Sequence, residues 1–99
     1  MINLLSKIYI DLNELVIRRV PHDKEILSTR IIKEHTKICE YCFNIKSSNK
    51  DKNYMLEFKV SIKYILFILN YFVSKKIINN DVYKIIEKEY KDLYYIINP

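Results

Sequence analysis

The chain has no glycine and only two prolines among its 99 residues. Glycine-cradled phosphate loops are therefore excluded, because their backbone must approach the phosphate where a Cβ would intrude. Tight hairpin turns that need positive φ would have to rely on Asn or Asp. Long apolar runs are missing too. The longest, Tyr64 to Val73, is interrupted by Asn70 and reaches about half of the roughly 20 residues that cross a bilayer. The opening Met1-Ile2-Asn3-Leu4-Leu5-Ser6-Lys7 has neither a basic leader nor an apolar stretch ending at a cleavage point. Two cysteines in a chain of this size do not make a secreted disulfide scaffold. Together these absences lead to the expectation of a soluble, cytoplasmic chain with no membrane partner.

What is present is positive charge and a great deal of Ile, Lys, Asn and Tyr, a bias that partly reflects an AT-rich coding sequence. The formal net charge of +5 favours an acidic partner, RNA or DNA being the usual one. The length suits one domain, covering 1–99, with a core that is adequate but not generous.

Hydrophobic periodicity predicts four helices, over about 2–19, 24–45, 54–75 and 80–97. In the first, Leu5, Ile8, Leu12 and Leu15 recur at helical spacing, with Ile10, Val16 and Ile17 widening the stripe. Val20-Pro21-His22-Asp23 is a turn, since proline disfavours helical geometry in the residue before it, and Asp23 is a candidate N-cap. The second helix turns Leu27, Ile31, His35, Ile38, Cys42 and Ile45 inward, and the polar run Lys46 to Asn53 is a loop. The third carries Phe58, Ile62, Ile65, Leu69 and Phe72 on one stripe, yet Tyr64, Leu66, Phe67, Ile68 and Tyr71 make it apolar nearly all round. One bundle core cannot cover that circumference, which points to a subunit interface that includes Tyr64, Phe67, Ile68 and Tyr71. After the break Lys76-Ile77-Ile78-Asn79-Asn80-Asp81, the fourth helix buries Val82, Ile86, Tyr90, Leu93 and Ile97, with Asn79 as its cap. The fold class expected is all-α, an antiparallel up-down-up-down four-helix bundle.

The pattern Val20-Pro21-x-x-Lys24-Glu25-x-Leu27 before the second helix, the long third helix, and Ile78-Asn79-Asn80-Asp81-Val82-Tyr83 opening the fourth resemble one family. It comprises the four-helix proteins that include the Avd accessory proteins of diversity-generating retroelements and the proteins encoded in 23S rRNA intervening sequences. Cys42-Phe43-Asn44-Ile45 keeps only an Asn-Ile pair of the segment typical of the intervening-sequence branch, which favours the Avd-like one. The resemblance implies a ring-like homo-oligomer, pentameric in the family. It also implies a basic surface that engages a reverse transcriptase together with RNA or DNA, and no catalytic activity or cofactor. The alternative is a structural oligomerisation or protein-interaction module with no nucleic-acid role.

Three surfaces are candidates for phosphate. The bundle topology brings Arg18, Arg19, Lys24, Lys75 and Lys76 to one pole, where counterion release would favour nucleic acid; the bland alternative is last-turn cations that suit helix C-termini. Arg30, Lys33 and Lys37 form a lateral stripe on the second helix, offset by Glu34 and extendable by Lys59 and Lys63. Lys46, Lys50 and Lys52 occupy the opposite pole. Cys39-Glu40-Tyr41-Cys42 has C-x-x-C spacing, but it lies within a helix and a zinc site could add at most His35 and the distant His22, so core packing is expected there, and His35 is expected to be a hydrogen-bonded core residue. Among nine tyrosines, Tyr94 and Tyr95 are the freest for base stacking. Glu87, Glu89 and Asp92 interleave with Lys84, Lys88 and Lys91 as surface ion pairs.

Overall fold

The structure, a computed structural model, describes residues 1–44 and 52–98. Its helices are α1 (Ile2–Arg18), α2 (Glu25–Asn44), α3 (Lys52–Ser74) and α4 (Asn80–Ile97). A 3-10 turn (His22–Lys24) leads into α2. All four helices fall where the periodicity places them. The start of α3 is two residues earlier than expected, and Ile45 and most of the expected loop lie outside the described residues.

Each helix packs on two neighbours in a closed square, α1 on α2 and α4, and α3 on α2 and α4. The bundle measures 41 × 23 × 20 Å. Neighbours run antiparallel. Lys7 meets Glu89 across α1 and α4, and Tyr41 meets Glu57 while Glu34 meets Ser61 across α2 and α3. The core takes Leu5, Ile8, Leu12 and Leu15 from α1, Ile31, Ile38 and Cys42 from α2, Phe58, Ile65, Leu69 and Phe72 from α3, and Ile86, Tyr90 and Leu93 from α4.

Several expectations are corrected by helical phase. Ile68 is 2% exposed and belongs to the core, because it lies on the same buried side as Phe58, Ile65 and Phe72. Ile10 and Ile17 do not widen the inward stripe of α1; they are 58% and 73% exposed. Asp23 does not stand next to α2 as its cap but inside the 3-10 turn, with Lys24 preceding the helix. Pro21 opens that turn at φ −64°, a value its ring favours, and its carbonyl accepts from the Lys24 N–H at 3.0 Å.

His35 joins three helices in the centre of the bundle. Its Nε2 lies 3.1 Å from the Leu5 carbonyl oxygen of α1 and its Nδ1 2.7 Å from the Tyr90 hydroxyl of α4. A carbonyl only accepts, so Nε2–H donates to it, and Nδ1 must then accept from the tyrosine O–H. Burial lowers the imidazole pKa below its ordinary 6.5, the Leu5 carbonyl opposing weakly, and it holds the Tyr90 hydroxyl well above 10.0.

The α3–α4 turn carries the chain's response to its lack of glycine. Lys76 sits at φ 60°, the left-handed region. Its N–H donates to the Val73 carbonyl at 3.0 Å, and the Ile77 N–H to the Phe72 carbonyl at 2.9 Å. These are the paired hydrogen bonds of a Schellman cap, with lysine where glycine is usual. The chain then drives Ile78 into the core, and Asn79 caps α4 as expected, its Oδ1 accepting from the Val82 N–H at 2.9 Å.

Stability should respond to this geometry at Lys76 and at His35. Replacing Lys76 with Gly relieves a left-handed Cβ clash of about 1–2 kcal/mol against about 0.5–1 kcal/mol of added chain entropy, so Lys76→Gly should raise the urea midpoint. His35→Phe should cost about 2–4 kcal/mol by orphaning a carbonyl and a hydroxyl. The double variant with Tyr90→Phe should cost less than the two singles combined, since neither orphan of that bond remains. The pH dependence has a definite sign. The unfolded imidazole takes up a proton as pH falls through about 6.5, while the folded one resists, so stability is full above that pH and declines as pH falls toward the lower folded value. Glu89, whose carboxyl is raised by burial, acts in the opposite direction, so the check is the difference in urea midpoint between wild type and His35→Phe at pH 7.5 and 5.5.

Candidate nucleic-acid interface

The end of α1, the 3-10 turn, the end of α3 and the start of α4 lie together at one pole. Arg19 and Lys76 both line a cleft of about 370 Å³ whose remaining lining is Val73, Ile77, Ile78, Asn79 and Asn80. Among the described residues no carboxylate lines it. The positive dipole end of α4 opens there, with Asn79 and Asn80 offering side-chain amides. Beside it, the ammonium groups of Lys24 and Lys75 each stand 5.9 Å from the centroid of the Tyr71 ring. Tyr71 is thus a half-buried seat for two cations from different elements. That role leaves it little part in an outward interface, where Tyr64 and Phe67 alone of the four expected side chains are exposed.

The five cations of the pole are not equivalent. Arg18 Nε pairs with Glu14 at 2.9 Å on the α1 surface. Arg19, Lys24, Lys75 and Lys76 make no ion pair among the described residues. Asp23, Glu25 and Asp81 share this end of the bundle, each at a helix or turn start where the dipole favours an acid.

The lateral stripe is more compensated. Glu34 is buried between α2 and α3, where the Ser61 hydroxyl donates to it at 3.2 Å. Arg30 Nε approaches the same carboxylate at 3.4 Å and Lys37 Nζ at 3.6 Å. The Arg30 guanidinium also lies 5.0 Å over the Tyr64 ring. Only Lys33 of that trio has no ion pair among the described residues. Lys59 does not extend the stripe. Its ammonium stands 5.3 Å over the ring of Tyr94 on the α4 side and lowers that hydroxyl's pKa. Exposed Leu56, Val60 and Phe67 lie on α3 between the two groups. Of the opposite-pole lysines, Lys46 and Lys50 fall outside the described residues, and Lys52 opens α3.

Glu89 was not legible as a buried group. It turns away from the α4 lysines to the α1 seam, where Lys7 Nζ bridges it at 3.2 Å and Asp11 at 2.9 Å. Its other oxygen, Oε1, has no hydrogen-bond partner among the described residues. The expected surface pairing on α4 is realised by Lys88 and Asp92 at 2.9 Å. Cys42 is buried with its thiol pushed up to about 12, chiefly by burial, and Cys39 is half-buried with its thiol raised for the same reason. Both thiols are therefore protonated at neutral pH, unlike metal-binding or nucleophilic sulfur. Among the described residues no group of three or more His, Cys, Asp or Glu side chains is arranged to hold a metal ion, and no helix is long and apolar enough to cross a membrane.

What sequence reasoning missed at the pole is Tyr71 as a cation seat and the amides of Asn79 and Asn80 in the cleft. The first had a signal, since Lys75 stands four residues after Tyr71 on one helix face. Comparison with known protein families, with characterised proteins and with solved structures finds no match for this chain.

Proposed function

We propose that this chain is a non-catalytic nucleic-acid-binding bundle that self-associates and serves as an accessory subunit of a reverse transcriptase. The observation that carries the nucleic-acid part is the carboxylate-free cleft between Arg19 and Lys76, flanked by Lys24 and Lys75 on Tyr71. Cations without a carboxylate partner release counterions when they meet phosphate, whereas Arg30 and Lys37 would first have to leave Glu34. The self-association part draws on Phe67 at 72% exposure, with Leu56 and Val60 beside it. The reverse-transcriptase and diversity-generating role draws on the resemblance of the two turn motifs, and a reverse-transcriptase gene beside the coding sequence is the observation that tests it.

Those same apolar side chains favour a second reading, a purely structural assembly or protein-interaction module. Low salt separates the two, because a protein of that kind should show no affinity for single-stranded RNA or DNA even there.

The direct test of the pole is salt titration of single-stranded RNA binding by the full chain. Joint replacement of Arg19, Lys24, Lys75 and Lys76 by Gln should weaken binding and shrink the slope of log affinity against log salt by about 0.7 for each phosphate no longer neutralised. The corresponding replacement of Arg30, Lys33 and Lys37 should change the slope less. Equal slopes for wild type and the pole variant would remove the pole from consideration. Lys76→Gly alone should gain stability and lose affinity, a combination that a merely structural lysine does not give.

A further inference from the structure

The α1–α4 seam holds more negative charge than it can neutralise. Glu89 of α4 is 7% exposed, and Lys7 reaches one of its oxygens, Oε2, at 3.2 Å. The other oxygen, Oε1, is buried and has no hydrogen-bond partner among the described residues. A charged carboxylate with a dry, unpaired oxygen carries a large desolvation penalty. Lys7 is committed to a second acid as well, since its ammonium lies 2.9 Å from Asp11 Oδ2, one turn further along α1. Two carboxylates thus share one ammonium, and Asp11 is close enough to Glu89 to act as its hydrogen-bond partner. The surrounding helices supply no further cation to Glu89. Arg18, farther along the groove on α1, is held by Glu14 at 2.9 Å. Among the described residues no charged group of α3 pairs with Glu89, and Lys59 stands over Tyr94 instead. Tyr90, bonded to His35 of α2, is pushed further from ionising by negative charge on Glu89. No group of three or more His, Cys, Asp or Glu side chains among the described residues is arranged for a metal ion. With Oε1 closed to water, the species small enough to reach it is a proton.

We propose that Asp11 and Glu89 hold one proton between them and that this proton latches α1 to α4. With the proton on Glu89 Oε1, the O–H donates to the Asp11 carboxylate, while Glu89 Oε2 and Asp11 Oδ2 accept from the Lys7 ammonium. One negative charge then faces one positive charge. When the proton passes to solvent, two negative charges meet a single ammonium, Oε1 is left as an uncompensated acceptor, and Glu89 is driven outward, which parts α1 from α4. The balance of forces on Glu89 runs the same way: burial first, then the Asp11 contact, raise its carboxyl against the pull of Lys7. A folded value raised above the unfolded one, about 4.3, gives a contribution that is full below the unfolded value and lost as pH rises through the folded one. The pole is within reach of this latch. Arg19 lines both the groove along the seam and the pole cleft, so movement of α1 against α4 displaces Arg19 relative to Asn79 and Asn80.

The test is an NMR titration of the side-chain carboxyl carbons in the full chain, with Glu89→Gln as the comparison, since glutamine keeps a donor toward Asp11 and has no proton to lose. In wild type the pair should titrate in two steps, the upper one above the ordinary glutamate value of about 4.3. The Arg19 backbone amide should shift with that upper step in wild type and stay still in Glu89→Gln. The urea midpoint of Glu89→Gln should gain on that of wild type as pH rises from 5 to 8, a comparison in which the opposing contribution of His35 cancels. Two carboxyls already bare at about pH 4.3, or a midpoint difference that is the same at both ends of that range, overturns the shared proton. An Arg19 amide that ignores the upper step overturns the latch. Should Glu89→Gln fail to fold, the wild-type titration alone decides the shared proton and the Arg19 response.

Discussion

The register of this bundle depends on His35. Apolar stripes on four antiparallel helices tolerate displacement by a turn, because leucine and isoleucine meet one another about as well after a shift of one helical repeat as before it. An imidazole donating to a carbonyl of α1 and accepting from a hydroxyl of α4 tolerates no such shift. A displaced α1 or α4 would leave polar atoms of the core unpaired, at a cost of about 1–3 kcal/mol each. This is the role of a single buried polar residue in a coiled coil, which selects one alignment among several of similar apolar content. The pole follows from it. Arg19 and Lys76 come to one cleft on elements whose axial positions His35 helps to fix.

Two buried carboxylates hold three of the surface cations. Glu34 at the α2–α3 seam draws Arg30 and Lys37, and Glu89 at the α1–α4 seam draws Lys7, which Asp11 also holds. A carboxylate at a seam cannot keep its charge without such partners, so the seams take cations from the flanks of the bundle. The end of the molecule has no buried carboxylate of this kind. Its acids, Asp23, Glu25 and Asp81, sit at helix and turn starts, where backbone dipoles already favour them. Arg19, Lys24, Lys75 and Lys76 thus stay without ion pairs among the described residues at one end, while Lys33, Lys63, Lys84 and Lys91 are likewise unpaired along the helices.

Helix positions were legible because apolar residues at a 3.6-residue period leave little choice, and the Asn79 cap was legible because a short polar side chain before an acidic first turn has one common use. The pole was legible once the up-down order was known. Charge state was not. Nothing in Arg30, Lys37 and Lys59 as letters distinguishes a cation held by Glu34 or over Tyr94 from a free one. The inward turn of Glu34 and Glu89 runs against the usual fate of glutamate. Ile68 misled for a related reason. On a helix apolar nearly all round, periodicity cannot say which residues face the core, and only the phase set by Phe58, Ile65 and Phe72 decides it. On α1 the phase set by Leu5, Ile8, Leu12 and Leu15 likewise exposes Ile10 and Ile17, which were expected to widen the inward stripe.

The lysine at φ 60° brings these constraints together. A chain without glycine must place some other residue at the Schellman position, and asparagine is the next best, because its short side chain tolerates left-handed geometry. This chain is not short of asparagine; Asn79 and Asn80 follow within four residues. Absence of an alternative therefore does not account for Lys76, whose left-handed backbone costs about 1–2 kcal/mol. What lysine adds there, and asparagine would not, is a second positive charge on the cleft that Arg19 also lines. Under the proposed function, strain retained at Lys76 would be set by binding rather than by folding.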